Sequence, residues 1–145
     1  MSRILLVEDD KDIIENLSAV LRAEGFQVRA EEGQKEALEA LEEEGFDLLL
    51  LDVSLKNGNG FSLCSAVKAA FDLPVIFLTA SGDEFSVVTG LELGAEDYVS
   101  KPFRPRELIS RIRSVLRRCG KSQAVLEIED LRVDTVRATV TKKGQ

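Results

Sequence analysis

Short apolar runs alternate with helix-like segments along the first 119 residues of the chain. Four of these runs are continuous, whereas the segments between runs repeat their apolar residues every three or four positions, as amphipathic helices do. Continuous short runs are typical of strands buried on both faces of a parallel sheet. The pattern predicts an α/β fold with a doubly wound, five-stranded parallel sheet. The predicted strands are 3–7, 26–30, 47–52, 74–79 and 97–100, and the predicted helices are 11–24, 34–44, 61–71, 83–93 and 105–118.

Polar residues follow four of these strands at the point where each apolar run stops. Glu8 and Asp9 follow the first run, and Asp52 follows the third. Thr79 closes the fourth run, and Lys101 comes just after the fifth. In open α/β sheets, ligands bind in the crevice at the carboxyl ends of the strands. The sequence therefore predicts that three carboxylates, a hydroxyl and an ammonium group meet at one edge of the sheet.

Charge is distributed unevenly along the chain. Residues 1–100 hold 7 basic and 21 acidic residues, a net charge of −14, whereas residues 101–121 hold 8 basic and 1 acidic, a net charge of +7. In the basic segment, arginines interleave with apolar residues at helical spacing. This pattern favours an amphipathic helix whose solvated face serves a protein interface, and it favours direct DNA contact by that helix less.

Composition excludes several kinds of chemistry. The chain has no histidine, which rules out Ser-His-Asp and Cys-His catalysis and any zinc site with a histidine ligand. Cys64 and Cys119 are far apart in sequence and predict free thiols. No segment approaches the roughly 20 apolar residues of a membrane span, and the chain enters a strand pattern without a basic leader. We therefore expect a cytoplasmic protein without a membrane partner.

The three carboxylates favour a magnesium site. Glu8, Asp9 and Asp52 would repel one another at neutral pH, and a cation would relieve that repulsion. Oxygen ligands from few protein groups suit Mg²⁺, which keeps several waters and shares its shell with phosphoryl groups. We expect Asp9 and Asp52 to be direct ligands, Glu8 to bind directly or through water, and the backbone carbonyl of Ser54 to complete the set.

A phosphoryl group would fit beside this metal. Its oxygens carry charge that Mg²⁺, the Lys101 ammonium and the Thr79 hydroxyl can stabilise. Asp52 is the favoured carboxylate nucleophile, because it ends the most apolar and hence most central predicted strand.

Four motifs at these strand ends carry a family resemblance: LLVEDD, LLLLDVS, FLTAS and DYVSKPF. In this order they resemble the receiver domain of bacterial two-component response regulators, over residues 3–119. The resemblance implies that Asp52 accepts phosphate from a phosphohistidine of a sensor histidine kinase. It also implies that Lys101 pairs with the phosphate, that Thr79 and Tyr98 form the switch pair, and that the Lys101–Pro102 bond is cis. Such a domain is no enzyme beyond slow self-dephosphorylation.

The motifs GLELGAEDY and KPFRPREL resemble the OmpR/PhoB type, whose receivers dimerise through the fourth helix, fifth strand and fifth helix and control transcription. The resemblance implies interface charge pairs of Asp97 with Arg111 and of Glu96 with Arg118. Ser86-Val87 stands where the family usually has Asp-Arg, which leaves Glu107 without its expected arginine partner. We therefore expect a weaker or less charge-dependent dimer.

The end of the chain has a different pattern, with short β-branched runs separated by polar turns. It resembles the opening strands of the winged-helix DNA-binding domain of that subfamily. We expect a receiver domain at 1–119, a linker at 120–124 and the first strands of a truncated winged-helix domain at 125–145, so DNA would be bound only through the missing part of a longer protein.

Two other classes of function are open. A stand-alone receiver that signals by protein contact would fit residues 1–119 and leave the tail unexplained. A phosphohydrolase with an aspartyl nucleophile also uses Mg²⁺, but it needs a second aspartate two residues after the nucleophile, where this chain has Ser54.

Overall fold

Five parallel strands alternate with five helices in the computed structural model, which describes residues 2–53, 55, 59–80 and 84–119. The five strands and five helices predicted for residues 1–119 are present, and their boundaries differ from the prediction by at most one residue. The elements are β1 Arg3–Val7, α1 Lys11–Ala23, β2 Gln27–Glu31, α2 Gln34–Glu43, β3 Leu48–Asp52, α3 Gly60–Ala70, β4 Val75–Ala80, α4 Glu84–Glu92, β5 Asp97–Lys101 and α5 Pro105–Cys119.

The strands form one sheet in the order β2-β1-β3-β4-β5, and every neighbouring pair is parallel. This is the order of flavodoxin-like and CheY-like domains, so the predicted doubly wound sheet is confirmed. β3 lies at the centre of the sheet, and all five of its residues are buried. Its continuous run of leucines is the composition that burial on both faces requires.

Two apolar cores cover the two faces of the sheet, because successive side chains of a strand point to opposite faces. Leu49, Leu51 and Phe77 pack on one face with residues of α2 and α3. Leu48 and Leu50 pack on the other face with residues of α1 and α5. Both cores lie below the carboxyl edge of the sheet and hold that edge in a fixed position.

Asp10 is the N-cap of α1 and binds that helix end. Its Oδ1 accepts hydrogen bonds from the backbone N–H groups of Asp12 and Ile13, at 2.9 and 3.3 Å. The helix ends before Gly25, which has a positive φ of 94° that glycine adopts without steric cost. The cap therefore fixes the start of α1, directly after Glu8 and Asp9.

The predicted linker and the strands expected in 125–145 lie outside the described residues. Ser54 also lies outside them. Among the described residues, the helices are too short or too polar for any of them to cross a lipid bilayer.

Candidate functional site

The carboxyl ends of β1 and β3 meet at the point where the strand order reverses. The chain leaves β1 towards β2 on one side, while β3 lies on the other side and leads to β4. Val7 pairs with Leu51, so Glu8 lies at the level of Asp52 on the neighbouring strand. Crevices at such switch points are the ligand sites of open α/β sheets.

The three predicted carboxylates lie together in this crevice. One carboxylate oxygen of each of Glu8, Asp9 and Asp52 lies within 4.8 Å of the other two. Glu8 and Asp52 are buried, and Asp9 is partly exposed. The cluster is therefore open to solvent on the side of Asp9 and closed on the side of the sheet.

Lys101 places an ammonium group against the same cluster from the end of β5. Its Nζ lies 2.8 Å from Glu8 Oε1 and 3.4 Å from Asp52 Oδ2. Burial disfavours the ammonium, but the ion pairs with Glu8 and Asp52 outweigh that effect and raise the pKa of Lys101. Lys101 is thus a fixed positive charge within reach of any anion that binds beside Asp52.

Glu8 carries the most perturbed carboxyl group of the site. Its pKa is raised from the usual 4.5 to about 7, mainly by burial and to a smaller extent by Asp52. Hydrogen bonds from Lys101 and from the backbone N–H of Asp10 lower this pKa, but by less than burial raises it. That N–H donates to Glu8 Oε2 at 3.1 Å. Lys101 therefore does not offset the effect of burial on the Glu8 carboxyl group.

The donor set fits a hard divalent cation such as Mg²⁺. All three groups are carboxylates, and their oxygens are close enough to share one ion. Mg²⁺ binds through a few carboxylates and keeps open positions for water or phosphate oxygens. The arrangement can therefore hold a metal and leave room for an anion beside it.

Thr79 contributes a buried hydroxyl at the same edge. Leu78 pairs with Asp52, and Thr79 follows it on β4. The Thr79 side chain is buried, and its Oγ1 has no hydrogen-bond partner among the described residues. A buried hydroxyl without a partner costs free energy, so a ligand oxygen within its reach would gain a hydrogen bond there.

Tyr98 lies on β5 at the border between core and solvent. Its half-buried ring packs against the apolar core on the α2 and α3 face. On another side, the guanidinium carbon of Arg111 lies 5.8 Å from the ring centroid. The Lys101–Pro102 peptide bond at the end of β5 is cis.

Four of the five residues expected at a dimer interface have charged partners within the same chain. Arg111 binds Asp97 at 3.0 Å and Glu107 at 3.1 Å. Glu96 binds Lys68 at 2.8 Å. Arg118 is exposed on the last turn of α5.

The pairs Arg111–Glu107 and Glu96–Lys68 were not predicted from the sequence. The Glu107–Arg111 spacing of four residues within a helix is a signal that could have identified that pair. Lys68 has no such signal, because 28 residues separate it from Glu96. Glu96 also accepts a hydrogen bond from the Val75 N–H at 2.7 Å, so it joins the starts of β4 and β5.

Comparison with known proteins agrees with this fold. The strand order and the acidic cluster at the carboxyl edge define a CheY-like receiver fold. The chain belongs to the response regulator receiver domain family, whose model matches residues 4–113. Solved structures of the same fold include a putative response regulator from Chloroflexus aurantiacus J-10-fl, which is 38% identical with a TM-score of 0.77 and covers 80% of this chain and 98% of its own.

Curated relatives are longer than this chain. The DNA-binding response regulator MtrA of Mycolicibacterium smegmatis is 43% identical over 144 residues, which are 99% of this chain and 63% of the relative. The transcriptional regulatory protein GltR of Pseudomonas aeruginosa is 49% identical over 140 residues, which are 92% of this chain and 58% of the relative. The chain thus spans about three fifths of the length of these relatives.

Proposed function

We propose that this chain is a phosphoryl-accepting receiver in which Asp52 takes phosphate from a phosphohistidine of a sensor histidine kinase. The observation that carries the proposal is the contact of Lys101 Nζ with both Glu8 and Asp52, the two buried members of the cluster of three carboxylates. A central nucleophile, a fixed cation and a metal-binding carboxylate set are the parts that phosphoryl transfer needs. Family membership supports the same reaction.

Each side chain has a distinct role in this reaction. A carboxylate oxygen of Asp52 forms a bond to phosphorus while the bond from phosphorus to the donor's histidine nitrogen breaks, and the histidine keeps that electron pair. Lys101 lies close enough to Asp52 to pair with the oxygens of the new aspartyl phosphate. The Thr79 hydroxyl supplies a hydrogen bond to them.

Glu8, Asp9 and Asp52 would hold Mg²⁺, together with the Ser54 carbonyl that the sequence predicts. When bound, the ion supplies positive charge to the phosphoryl oxygens. Ser54 stands at the position where a phosphohydrolase needs its second aspartate, so we propose acceptance followed by slow self-dephosphorylation rather than enzymatic hydrolysis. The cytoplasmic location expected from the sequence remains part of this proposal.

The proposed output is a change at α4, β5 and α5 that leads to a homodimer. Thr79 and Tyr98 form the switch pair, with the ring turning inward as the hydroxyl moves to the phosphate. Val88 and Leu91 expose apolar surface on α4, which a partner copy could cover. Arg111 and Glu96 would exchange their present intrachain partners for interchain ones, and exposed exchanges of this kind are worth at most about 1 kcal/mol each.

Control of transcription is the proposed purpose of the dimer. The curated relatives are named as DNA-binding or transcriptional regulators, and we infer that this receiver acts with a winged-helix DNA-binding domain. On this proposal, residues 1–119 are the receiver, 120–124 a linker and 125–145 the beginning of the second domain.

The test measures the intact mass of the protein after incubation with Mg²⁺ and acetyl phosphate. The samples are the unchanged chain, Asp52→Asn and the control Asp12→Asn, which changes an exposed aspartate on α1. We expect one phosphoryl adduct of about 80 Da on the unchanged chain and on the control, and none on Asp52→Asn. Sedimentation of the same samples tests dimerisation. An equal adduct on Asp52→Asn would place the acceptor elsewhere, and continued release of phosphate would favour a phosphohydrolase.

A further inference from the structure

Tyr98 has contacts of two opposite kinds. One part of its ring packs against the buried core that includes Phe77, and the Arg111 guanidinium lies over the ring at 5.8 Å. A cation within about 6 Å of an aromatic centroid is attracted by the negative face of the ring. The present position of the ring is therefore stabilised from outside as well as from the core.

Carboxylates on two different elements hold the Arg111 side chain. Its Nη1 donates to both oxygens of Asp97, at 3.0 and 3.1 Å. Its Nε and Nη2 both donate to Glu107 Oε2, at 3.3 and 3.1 Å. Asp97 precedes Tyr98 on β5, and Glu107 lies one turn before Arg111 on α5. Four hydrogen bonds thus fix the guanidinium beside the ring.

We propose that Arg111 is a positioning residue for Tyr98, and that the Asp97–Arg111–Glu107 contacts hold the ring in its present position and oppose its inward turn. This inference rests on the proposed function, in which Tyr98 turns inward when Asp52 carries a phosphoryl group. The contact with the guanidinium exists only while the ring stays where it is. Each activation therefore has to break it.

The magnitude follows from the strength of such contacts. At partly exposed sites, the loss of one cation–aromatic contact changes an equilibrium about two- to fivefold. Removing Arg111 should therefore increase the apparent affinity for a phosphoryl analogue about two- to fivefold. The same residue is expected at the dimer interface, so a partner that draws Arg111 away would release the ring and link dimerisation to the switch.

The chain offers a direct probe of the ring. Tyr98 is its one tyrosine, and the chain has no tryptophan, so fluorescence excited near 280 nm reports on Tyr98 alone. We would titrate beryllium fluoride in saturating Mg²⁺ and follow both this emission and its quenching by acrylamide. Protein is kept dilute, and sedimentation verifies that it stays monomeric, because Arg111 variants could also alter dimerisation.

Arg113 provides a matched control. It lies two residues further along α5, binds Glu24 at 3.0 Å and places its guanidinium 5.9 Å from the Phe26 ring. Arg113→Ala therefore removes the same kinds of contact from a ring remote from the proposed switch. Arg111→Lys keeps a cation but loses the forked hydrogen bonds, and Glu107→Gln keeps Arg111 while loosening its hold.

We expect Arg111→Ala to bind beryllium fluoride about two- to fivefold more tightly than the unchanged chain, so the changes in Tyr98 emission and quenching should occur at correspondingly lower analogue concentrations. The affinities of Arg111→Lys and Glu107→Gln for beryllium fluoride should lie between those of Arg111→Ala and the unchanged chain. The affinity of Arg113→Ala should match that of the unchanged chain. Equal affinity for beryllium fluoride in Arg111→Ala and Arg113→Ala, with a normal Tyr98 response to the analogue, would overturn the role of Arg111 and leave the proposed function standing. No Tyr98 response in the unchanged chain would overturn the proposed switch itself and this inference with it.

Discussion

Replacing Glu8 with glutamine should stabilise the metal-free chain at neutral and alkaline pH. Glu8 is fully buried beside Asp52, and its pKa in the folded chain is raised to about 7 from 4.5, mainly by burial. Glutamine has nearly the same shape and cannot ionise. The substitution therefore removes the cost of an ionised buried carboxylate while it keeps the packing.

The expected magnitude follows from the two pKa values. Between pH 4.5 and about 7 the folded chain holds a proton on Glu8 that the unfolded chain has lost, so the free energy of unfolding falls as pH rises through this window. A difference of about 2.5 between the pKa values corresponds to about 3 kcal/mol, since each pKa unit is worth about 1.4 kcal/mol. The cost is small near pH 4.5 and complete above about pH 7.5.

The assay is urea unfolding followed by far-UV circular dichroism in EDTA at several values of pH from 4.5 to 8.5. The free energies of unfolding of Glu8→Gln and the unchanged chain should nearly agree at pH 4.5 and diverge to about 3 kcal/mol at pH 8, with the variant more stable. Glu15→Gln, at an exposed position on α1, should show no such divergence. A Glu8→Gln difference that stays constant across this range would refute the reasoning.

Two further predictions concern packing beside the site and the thiols. A side chain on Gly60 would bring its Cβ to 2.5 Å from the Asp52 carbonyl oxygen, so Gly60→Ala should lower the free energy of urea unfolding by about 1–3 kcal/mol. Gly45 has open space around it, so Gly45→Ala should change that free energy little. Equal effects of the two substitutions would contradict this account. Cys119 is exposed, whereas Cys64 is buried and burial raises the pKa of its thiol. A thiol reagent should therefore label Cys119 quickly and Cys64 only on unfolding. Fast labelling of two thiols in the folded chain would contradict the burial of Cys64.

The sequence predicted the fold because its apolar pattern is local and unambiguous. The four consecutive leucines before Asp52 could be satisfied only by a strand covered on both faces, and β3 is the central strand. Parallel strands bring their carboxyl ends to one edge, so the positions of Glu8, Asp9 and Lys101 near Asp52 followed from strand assignment alone. Several element ends differed from the prediction by one residue, because termini depend on capping contacts.

The tertiary structure decided the roles of neighbouring acids. Glu8, Asp9 and Asp10 are consecutive carboxylates that hydrophobic pattern alone does not rank. The fold directs Asp10 to the end of α1 as its cap, and it brings an oxygen from each of the other two within 4.8 Å of Asp52. The raised pKa of Glu8 likewise depends on burial that the folded chain creates.

Long-range partners lay beyond what the sequence could determine. Strand and helix periods are properties of short segments and can be read directly from the order of residues. The pairing of Lys68 with Glu96, and the placement of Arg111 over Tyr98, depend on how α3 and α5 pack on the sheet. The sequence thus determined the fold and the residues at its carboxyl edge, whereas packing between distant elements decided which charges meet and which side chain lies over the Tyr98 ring.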